Sequence, residues 1–178
     1  MAAEQSTHII RLARAQDAGL LPAIEQCAAQ AFRAIEGLGW LADAASISVE
    51  CHRQWIALST CWVVIGTHGQ PQGFLSAERY GDDLHIHEVS VAQPLQGQGW
   101  GRRLVETAIH HARTQQLRAV TLTTFKHVPW NAPFYRRLGF EPHTDQRLEN
   151  TLVNEYAQGF APGSRCAMAY KVVCPNRS

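Results

Sequence analysis

Apolar positions recur along this chain with two alternating periods, and their order already outlines a fold. Residues 8–13 (HIIRLA) form a short run of strand character, closed by Gln16-Asp17, either of which can help cap a helix. Leu20, Leu21, Ile24, Cys27, Ala28, Ala31 and Phe32 then repeat at helical spacing. They predict an amphipathic helix over residues 18–35, with Pro22 in its first turns and Gly37 and Gly39 as its stop. Residues 38–46 have no clear period; they are a candidate substrate lid or a plain connector. A second helix starts near Ser46 or Ser48, with Val49, His52, Trp55 and Ile56 on one face. Strand character then takes over in residues 62–66 and 74–80, joined by THGQPQG, whose Gly69, Pro71 and Gly73 supply turn chemistry. Gly81-Asp82-Asp83 turns again into a strand over residues 84–91, so three successive strands should be antiparallel neighbours. Helical period returns over residues 102–114, where Leu104, Val105, Ala108, Ile109 and Ala112 make one apolar stripe.

The β-rich run at residues 118–125 (RAVTLTTF) follows that helix, completing a strand–helix–strand unit that is ordinarily parallel. Residues 127–130 are a loop, and Asn131 caps a short helix ending at Leu138, with Pro133 in its first turn and Gly139 as its stop. A helix over residues 148–158 and a last strand over residues 166–173 complete the pattern. A meander followed by a parallel unit predicts an α+β chain with a mixed central sheet.

Composition narrows the function classes. With 178 residues, 46% of them hydrophobic, the chain suits one domain spanning residues 1–178. A formal net charge of +1 and the lack of a Lys/Arg-rich run argue against nucleic acid as a partner. The stretch MAAEQSTHIIRLARAQD has no uninterrupted apolar region of signal-peptide type, and no apolar run reaches the length of a membrane span. A soluble, cytoplasmic protein without membrane association is expected. Five cysteines, Cys27, Cys51, Cys61, Cys166 and Cys174, show neither a C-x-x-C pair nor metal-ligand spacing, so reduced structural thiols and no metal are expected.

The most informative stretch is LHIHEVSVAQPLQGQGWG, residues 84–101, where a strand runs into a glycine-rich turn that opens a helix. Unpaired backbone N–H groups and the positive end of a helix dipole make such a turn a seat for a phosphate. It is not a P-loop, because no Gly-Lys-Ser/Thr closes it, and the spacing of Gly97, Gly99 and Gly101 does not fit G-x-G-x-x-G. Gln96-x-x-Gly99-x-Gly101 after a fourth strand resembles the signature of the GNAT superfamily of acyl-CoA-dependent N-acetyltransferases. A second block, Asn131-Ala-Pro-Phe134-Tyr135-Arg-Arg-Leu-Gly139-Phe140, matches the same family in order and separation. Residues 123–135 further resemble a bacterial subgroup carrying TTF-x-x-VPWN-x-PFY, as does the tail from Glu155 to Gly159 and from Arg165 to Met168.

The resemblance implies a GNAT-like fold whose mixed central sheet is splayed between the fourth and fifth strands, with helices on both faces. It implies acetyl-CoA as cosubstrate, with the backbone of Gln96, Gly97, Gln98, Gly99, Trp100, Gly101 and Arg102 holding the pyrophosphate. Val89, Ser90 and Val91 would pair with the pantetheine arm in the manner of an added strand. Asn131 would contact the cofactor, while Phe134 packs.

Amine acetylation needs a neutral amine, donors for the tetrahedral oxyanion and a proton for the departing thiolate. Tyr135 stands where family members carry the tyrosine that protonates the thiolate; the alternative is a packed core tyrosine. Strand alternation puts His85 and His87 on one face with Val89 and Val91, and Glu88 on the other with Leu84, Ile86 and Ser90. The histidines resemble the proton-relay pair of arylalkylamine N-acetyltransferases, whereas other bacterial members carry a carboxylate at or near position 88. Both remain candidates for the base, beside a structural role for either and a metal site of the pair with His127. Trp40, Phe125 and Trp130 could line an acceptor pocket or pack a core. His110 and His111 read as solvated helix positions. The expected reaction is direct acetyl transfer to a small primary amine in a ternary complex. A protein N-terminus or lysine as acceptor and a non-enzymatic acyl-CoA-binding module are the rivals. Oligomeric state stays open, a homodimer included.

Overall fold

In the computed structural model of the protein, which describes residues 8–173, the expected strands and helices form in the expected order. The strands are β1 (Ile9–Leu12), β2 (Cys61–Ile65), β3 (Pro71–Tyr80), β4 (Asp83–Val91), β5 (Ala119–Phe125), β6 (Glu141–Pro142) and β7 (Arg165–Lys171). The helices are α1 (Leu21–Ala29), α2 (Val49–Ala57), α3 (Trp100–Thr114), α4 (Ala132–Arg137) and α5 (Gln146–Ala157). The seven strands make one sheet in the order β1-β2-β3-β4-β5-β7-β6. Pairing is antiparallel for β1 with β2, β2 with β3, β5 with β7 and β6 with β7, and parallel for β4 with β5. This is the mixed α+β sheet that the meander and the strand–helix–strand unit predict.

The parallel pair is short. It runs from Asp83↔Ala119 to Ile86↔Leu122, although β4 continues to Val91 and β5 to Phe125. Over those last residues β5 stays paired with β7, through Thr123↔Ala167 to Phe125↔Arg165. The ladder between β4 and β5 therefore ends where the resemblance places the splay.

The described residues divide into two compact units: those up to Glu78 together with Glu88–Thr107, and Arg79–His87 together with those from Ala108 onward. In the first, Leu21 and Ile24 of α1 pack with Cys61, Val63 and Ile65 of β2 and Phe74 of β3, with Trp55 and Ile56 of α2 against them. Burying each large apolar side chain of this cluster contributes roughly 1.5–3 kcal/mol. In the second unit, helices lie on both faces of β5. Thr121 and Thr123 meet Arg147 and Glu155 of α5, while Thr124 on the opposite face accepts a hydrogen bond from Asn131 at the start of α4. Arg118 clamps the start of the parallel pair by bonding both oxygens of Asp83, at 3.1 and 2.8 Å. Arg165 of β7 lies over the adjoining rings of Phe125 and Phe160 and bonds Glu155 at 2.7 Å, stapling α5 to the sheet.

Local chemistry changes several boundaries. The single helix expected over residues 18–35 is instead a 3₁₀ segment (Ala15–Leu20), α1, and a second 3₁₀ segment (Gln30–Ala34). Asp17 drives the first break: its carboxylate accepts from the Arg14 backbone N–H at 2.7 Å and pairs with Arg11, which tightens the entry turn. Gln30 assists the second by donating to the Ala42 carbonyl at 3.0 Å. Strand β3 begins earlier than expected, at Pro71, where a register shift in the pairing with β2 accommodates a residue lacking an N–H. Gly73 inside β3 sits at a close approach: a Cβ there would lie 3.2 Å from the Ser90 carbonyl oxygen, a tight contact. Of Ser46 and Ser48, the two serines near which the second helix is expected to start, Ser48 caps α2, accepting from the Cys51 N–H at 3.2 Å. Asn131 does not cap α4 with its side chain. The apolar stripe of α3 is buried, and no helix among the described residues is long and apolar enough to cross a membrane. Cys174 and the first seven residues lie outside the described residues.

His52 is an unusual core residue. It is wholly buried on α2, edge-on to Phe74 at 5.1 Å, with Nδ1 3.5 Å from Ser76 Oγ. Its Nε2 is buried without a hydrogen-bond partner. Burial pushes its pKa down to about 4. An unfolded chain takes up this proton near pH 6.5 and the folded one only near pH 4, so stability falls as pH is lowered through that window. Urea unfolding of the wild type and His52→Leu at pH 7.5 and pH 4 should show that the wild type loses up to about 3 kcal/mol more than the variant. Equal losses would show that His52 does not carry this acid sensitivity.

Candidate active site

The first unit contains the glycine turn. After β4, the 3₁₀ turn Gln93–Leu95 buries Leu95, and residues 96–99 emerge into solvent before α3 begins. Two glutamines brace it: Gln96 Nε2 donates to the Val91 carbonyl at 2.9 Å and Gln98 Nε2 to the Pro94 carbonyl at 2.8 Å. Gly97 and Gly99 have φ of +75° and +84°, a region that L side chains rarely adopt. No heavy atom lies within 4 Å of where a Cβ would stand at either, so the backbone is open to a ligand on that side. Arg103 N–H donates to the Gly99 carbonyl at 3.1 Å, which closes the first helical turn. The N–H groups of Trp100, Gly101 and Arg102 thus belong to the turn whose donors have no acceptor within the helix. A 15-residue helix behind them adds its dipole, and the arrangement suits an anion with several oxygens. Arg103 stacks over Trp100 at 4.6 Å, and His8 approaches the same ring at 5.4 Å.

Glu88, Ser90 and Glu25 are in the same unit. Ser90 Oγ donates to Glu88 Oε1 at 2.7 Å, as expected for two side chains on one strand face. Glu25 of α1 accepts from the Ile47 backbone N–H at 3.0 Å, and its pKa is raised to about 7, first by burial and then by the charge of Glu88. The two carboxylates are therefore near enough to oppose one another's ionisation. The segment read as either a lid or a plain connector, residues 38–46 with the adjoining Ile47, is tied to the preceding helical segments. Ser46 Oγ donates to the Pro22 carbonyl at 3.1 Å, Gln30 holds Ala42, and Arg33 pairs with Asp43 at 2.6 Å. Trp40 is exposed.

His85, His87, Asn131 and Tyr135 are in the second unit. His85 is buried, its ring edge-on to His87 at 5.1 Å and to Tyr80 at 6.1 Å, with Nδ1 3.0 Å from Thr121 Oγ1. Burial first, then His87 and Arg147, push its pKa down to about 3. Asn131 Nδ2 donates to Thr124 Oγ1 at 2.8 Å, while its Oδ1 is buried without a partner. Such an atom calls for a donor from a ligand or water. Tyr135 is buried, with its ring between those of Phe134 at 5.1 Å and Phe140 at 5.5 Å. Phe134 packs, as expected, and Trp130 is exposed.

Each candidate thus falls in a defined place. Glu88, Val89, Ser90, Val91 and residues 96–102 share one unit, and His85, His87, Asn131 and Tyr135 share the other. Three further contributors, Glu25, Thr121 and Arg147, carry no motif in the sequence. Glu25 interrupts the apolar spacing of α1 without belonging to a motif. Thr121 is one of several threonines in an ordinary strand, and Arg147 occupies an unremarked first turn of α5. Among the described residues, no group of three or more His, Cys, Asp or Glu could hold a metal ion.

A mixed sheet with a short parallel pair, followed by a glycine turn at a helix N-terminus, defines an acyltransferase type of α+β protein. The chain belongs to the acetyltransferase (GNAT) family, whose model matches residues 23–140. It is 34% identical over 91 residues to N-alpha-acetyltransferase 80 of Mus musculus, a match spanning 47% of this chain and 28% of that protein. The fold is similar to that of the PaiA N-acetyltransferase from Thermoplasma acidophilum, solved with coenzyme A (TM-score 0.68, 16% identity, 93% of this chain and 99% of that one). It is also similar to the ribosomal-protein-S18-alanine N-acetyltransferase of Escherichia coli (TM-score 0.67, 17% identity, 96% and 97% covered).

The carboxylate pair makes a prediction independent of any substrate. Replacing Glu88 by Gln removes the opposing charge, so the Glu25 midpoint should move down from about 7, as read by carboxyl ¹³C NMR titration. A midpoint that does not move would show that the two carboxylates are uncoupled.

Proposed function

We propose that the protein transfers the acetyl group of acetyl-CoA to the primary amine of a small molecule, directly and within a ternary complex. The observation that carries this reading is the glycine turn, with its two left-handed glycines, open Cβ directions and following 15-residue helix. Backbone N–H groups from Gln96 to Arg102 hold the cofactor's pyrophosphate. Val89, Ser90 and Val91 pair with the pantetheine arm, on the stretch of β4 beyond its ladder with β5. Asn131 Oδ1, which is buried without a partner, accepts a hydrogen bond from the cofactor. Both units form one N-acetyltransferase domain in this reading.

Acetyl-CoA supplies the thioester that is attacked. A carboxylate or imidazole on β4, Glu88 or His87, takes the proton of the acceptor ammonium, so that nitrogen can form the new C–N bond as the C–S bond breaks. Tyr135 gives its phenolic proton to the departing thiolate. Glu25 and Glu88 together favour a cationic acceptor, because an ammonium beside them offsets their mutual repulsion. Direct transfer is supported by the thiols: burial holds Cys61 up at about 11 and raises Cys166, so neither is a ready thiolate at neutral pH. The name of the mouse relative favours a second reading, in which the acceptor is the α-amine of a peptide.

A panel of small amines and peptides with thiol-release detection decides between them. Small cationic amines should exceed peptides by about 10-fold or more in kcat/KM, a difference worth about 1.4 kcal/mol in transition-state binding. Peptides turning over faster would establish the second reading, and no turnover across the panel would leave an acyl-CoA-binding module. Tyr135→Phe should lower kcat by about 100-fold with little change in acetyl-CoA affinity; unchanged kcat would remove Tyr135 as the acid. Gly99→Glu should abolish acetyl-CoA binding by calorimetry, because it puts a side chain at φ +84° and a negative charge into the phosphate seat. Undiminished affinity would place the cofactor elsewhere.

A further inference from the structure

The buried hydroxyl of Thr121 determines where the proton on His85 sits. Thr121 Oγ1 is 3.0 Å from Arg147 Nη2 of α5 and 3.0 Å from His85 Nδ1 of β4. A guanidinium has donors only, so Arg147 donates and the oxygen accepts. Thr121 has a single O–H to give, and the residue is wholly buried. If His85 Nδ1 carried the proton, the oxygen would accept twice and its own O–H would be left buried without an acceptor. Donation from Thr121 to Nδ1 satisfies all three groups and puts the imidazole proton on Nε2.

The surroundings hold this arrangement in place. Arg147 lies over the Tyr80 ring of β3 at 4.8 Å, which fixes the guanidinium as well as its charge. His85 is faced by His87 on its own strand, Tyr80 on β3, Thr121 on β5 and Arg147 on α5. Asp83, the nearest carboxylate along β4, is bonded through both oxygens to Arg118. Burial and the positive charge of Arg147 also disfavour a second proton on His85.

We propose that Arg147 and Thr121 are positioning residues that lock His85 as its neutral Nε2–H tautomer, making it a hydrogen-bond donor and leaving the proton-accepting step to His87 or Glu88. A proton delivered to His85 has no onward path: Nε2 already carries one, Nδ1 receives the Thr121 hydroxyl, and Arg147 beyond it cannot accept. His85 therefore ends the relay. With His85 neutral, a proton taken up at His87 meets no second charged imidazole. The tautomer follows from the hydrogen bonds alone, while its catalytic meaning rests on the acetyltransferase reading above.

Long-range ¹H–¹⁵N correlation on the full chain with labelled histidine tests the lock, with His85→Asn used to assign the ring. The wild type should show only the Nε2–H pattern for His85 across neutral pH. Thr121→Val should introduce the Nδ1–H form and lower kcat by about 10-fold or more without raising the KM for acetyl-CoA, and Thr121→Ser, which keeps the hydroxyl, should restore both. Arg147→Met gives the same test if the valine variant does not fold, since its Thr121 hydroxyl is freed from one partner and the tautomers mix. An Nδ1–H pattern in the wild type, or an unchanged pattern in Thr121→Val and Arg147→Met, overturns the lock. An altered pattern with unchanged kcat overturns its catalytic role. Failure of every amine to turn over would defeat the acetyltransferase reading and leave the spectroscopic result standing.

Discussion

Strand β5 has two neighbours and keeps only one of them along its length. It pairs with β7 from Ala119 to Phe125 but with β4 only from Ala119 to Leu122. Backbone donors and acceptors need partners, so a ladder that ends while both strands continue leaves groups to be satisfied by something other than the sheet. The reading of β4 as the strand that receives a cofactor arm depends on this early end.

The two units carry different physical devices. The glycine turn works through backbone: left-handed Gly97 and Gly99 expose amides, and Gln96 and Gln98 spend their side chains holding the turn's shape. Gln96 in the family signature thus has a local explanation in its bond to Val91. The side-chain clusters work through charge and proton placement. In one unit the charge of Glu88 disfavours ionisation of Glu25, while in the other Arg147, Thr121 and His85 are joined by hydrogen bonds.

Much of the fold was legible because the residues that build it act locally or periodically. The alternation around β3 and β4, the apolar stripe of α3, and Ser48 as the cap of α2 are decided within a few residues of chain. The helix expected over residues 18–35 failed for a reason the periodicity could not carry. Asp17 reaches a backbone N–H and Arg11, and Gln30 reaches Ala42, bonds that compete with helix continuation and depend on where the neighbouring segments lie. Asn131 takes the expected N-cap position of α4, but its amide turns to Thr124 and makes no cap bond to the helix backbone.

By itself the sequence determined the order of elements, the glycine-rich turn at the start of a helix and the family, because glycine spacing and apolar period are properties of consecutive residues. Only the tertiary structure decided which long-range partners tune the site. Glu25 lies far from Glu88 along the chain, and Arg147 far from both Thr121 and His85, yet pKa and tautomer are set by distance in space. No period or motif encodes such a meeting, so the proton chemistry of β4 became readable only once the strands and helices had been put in place.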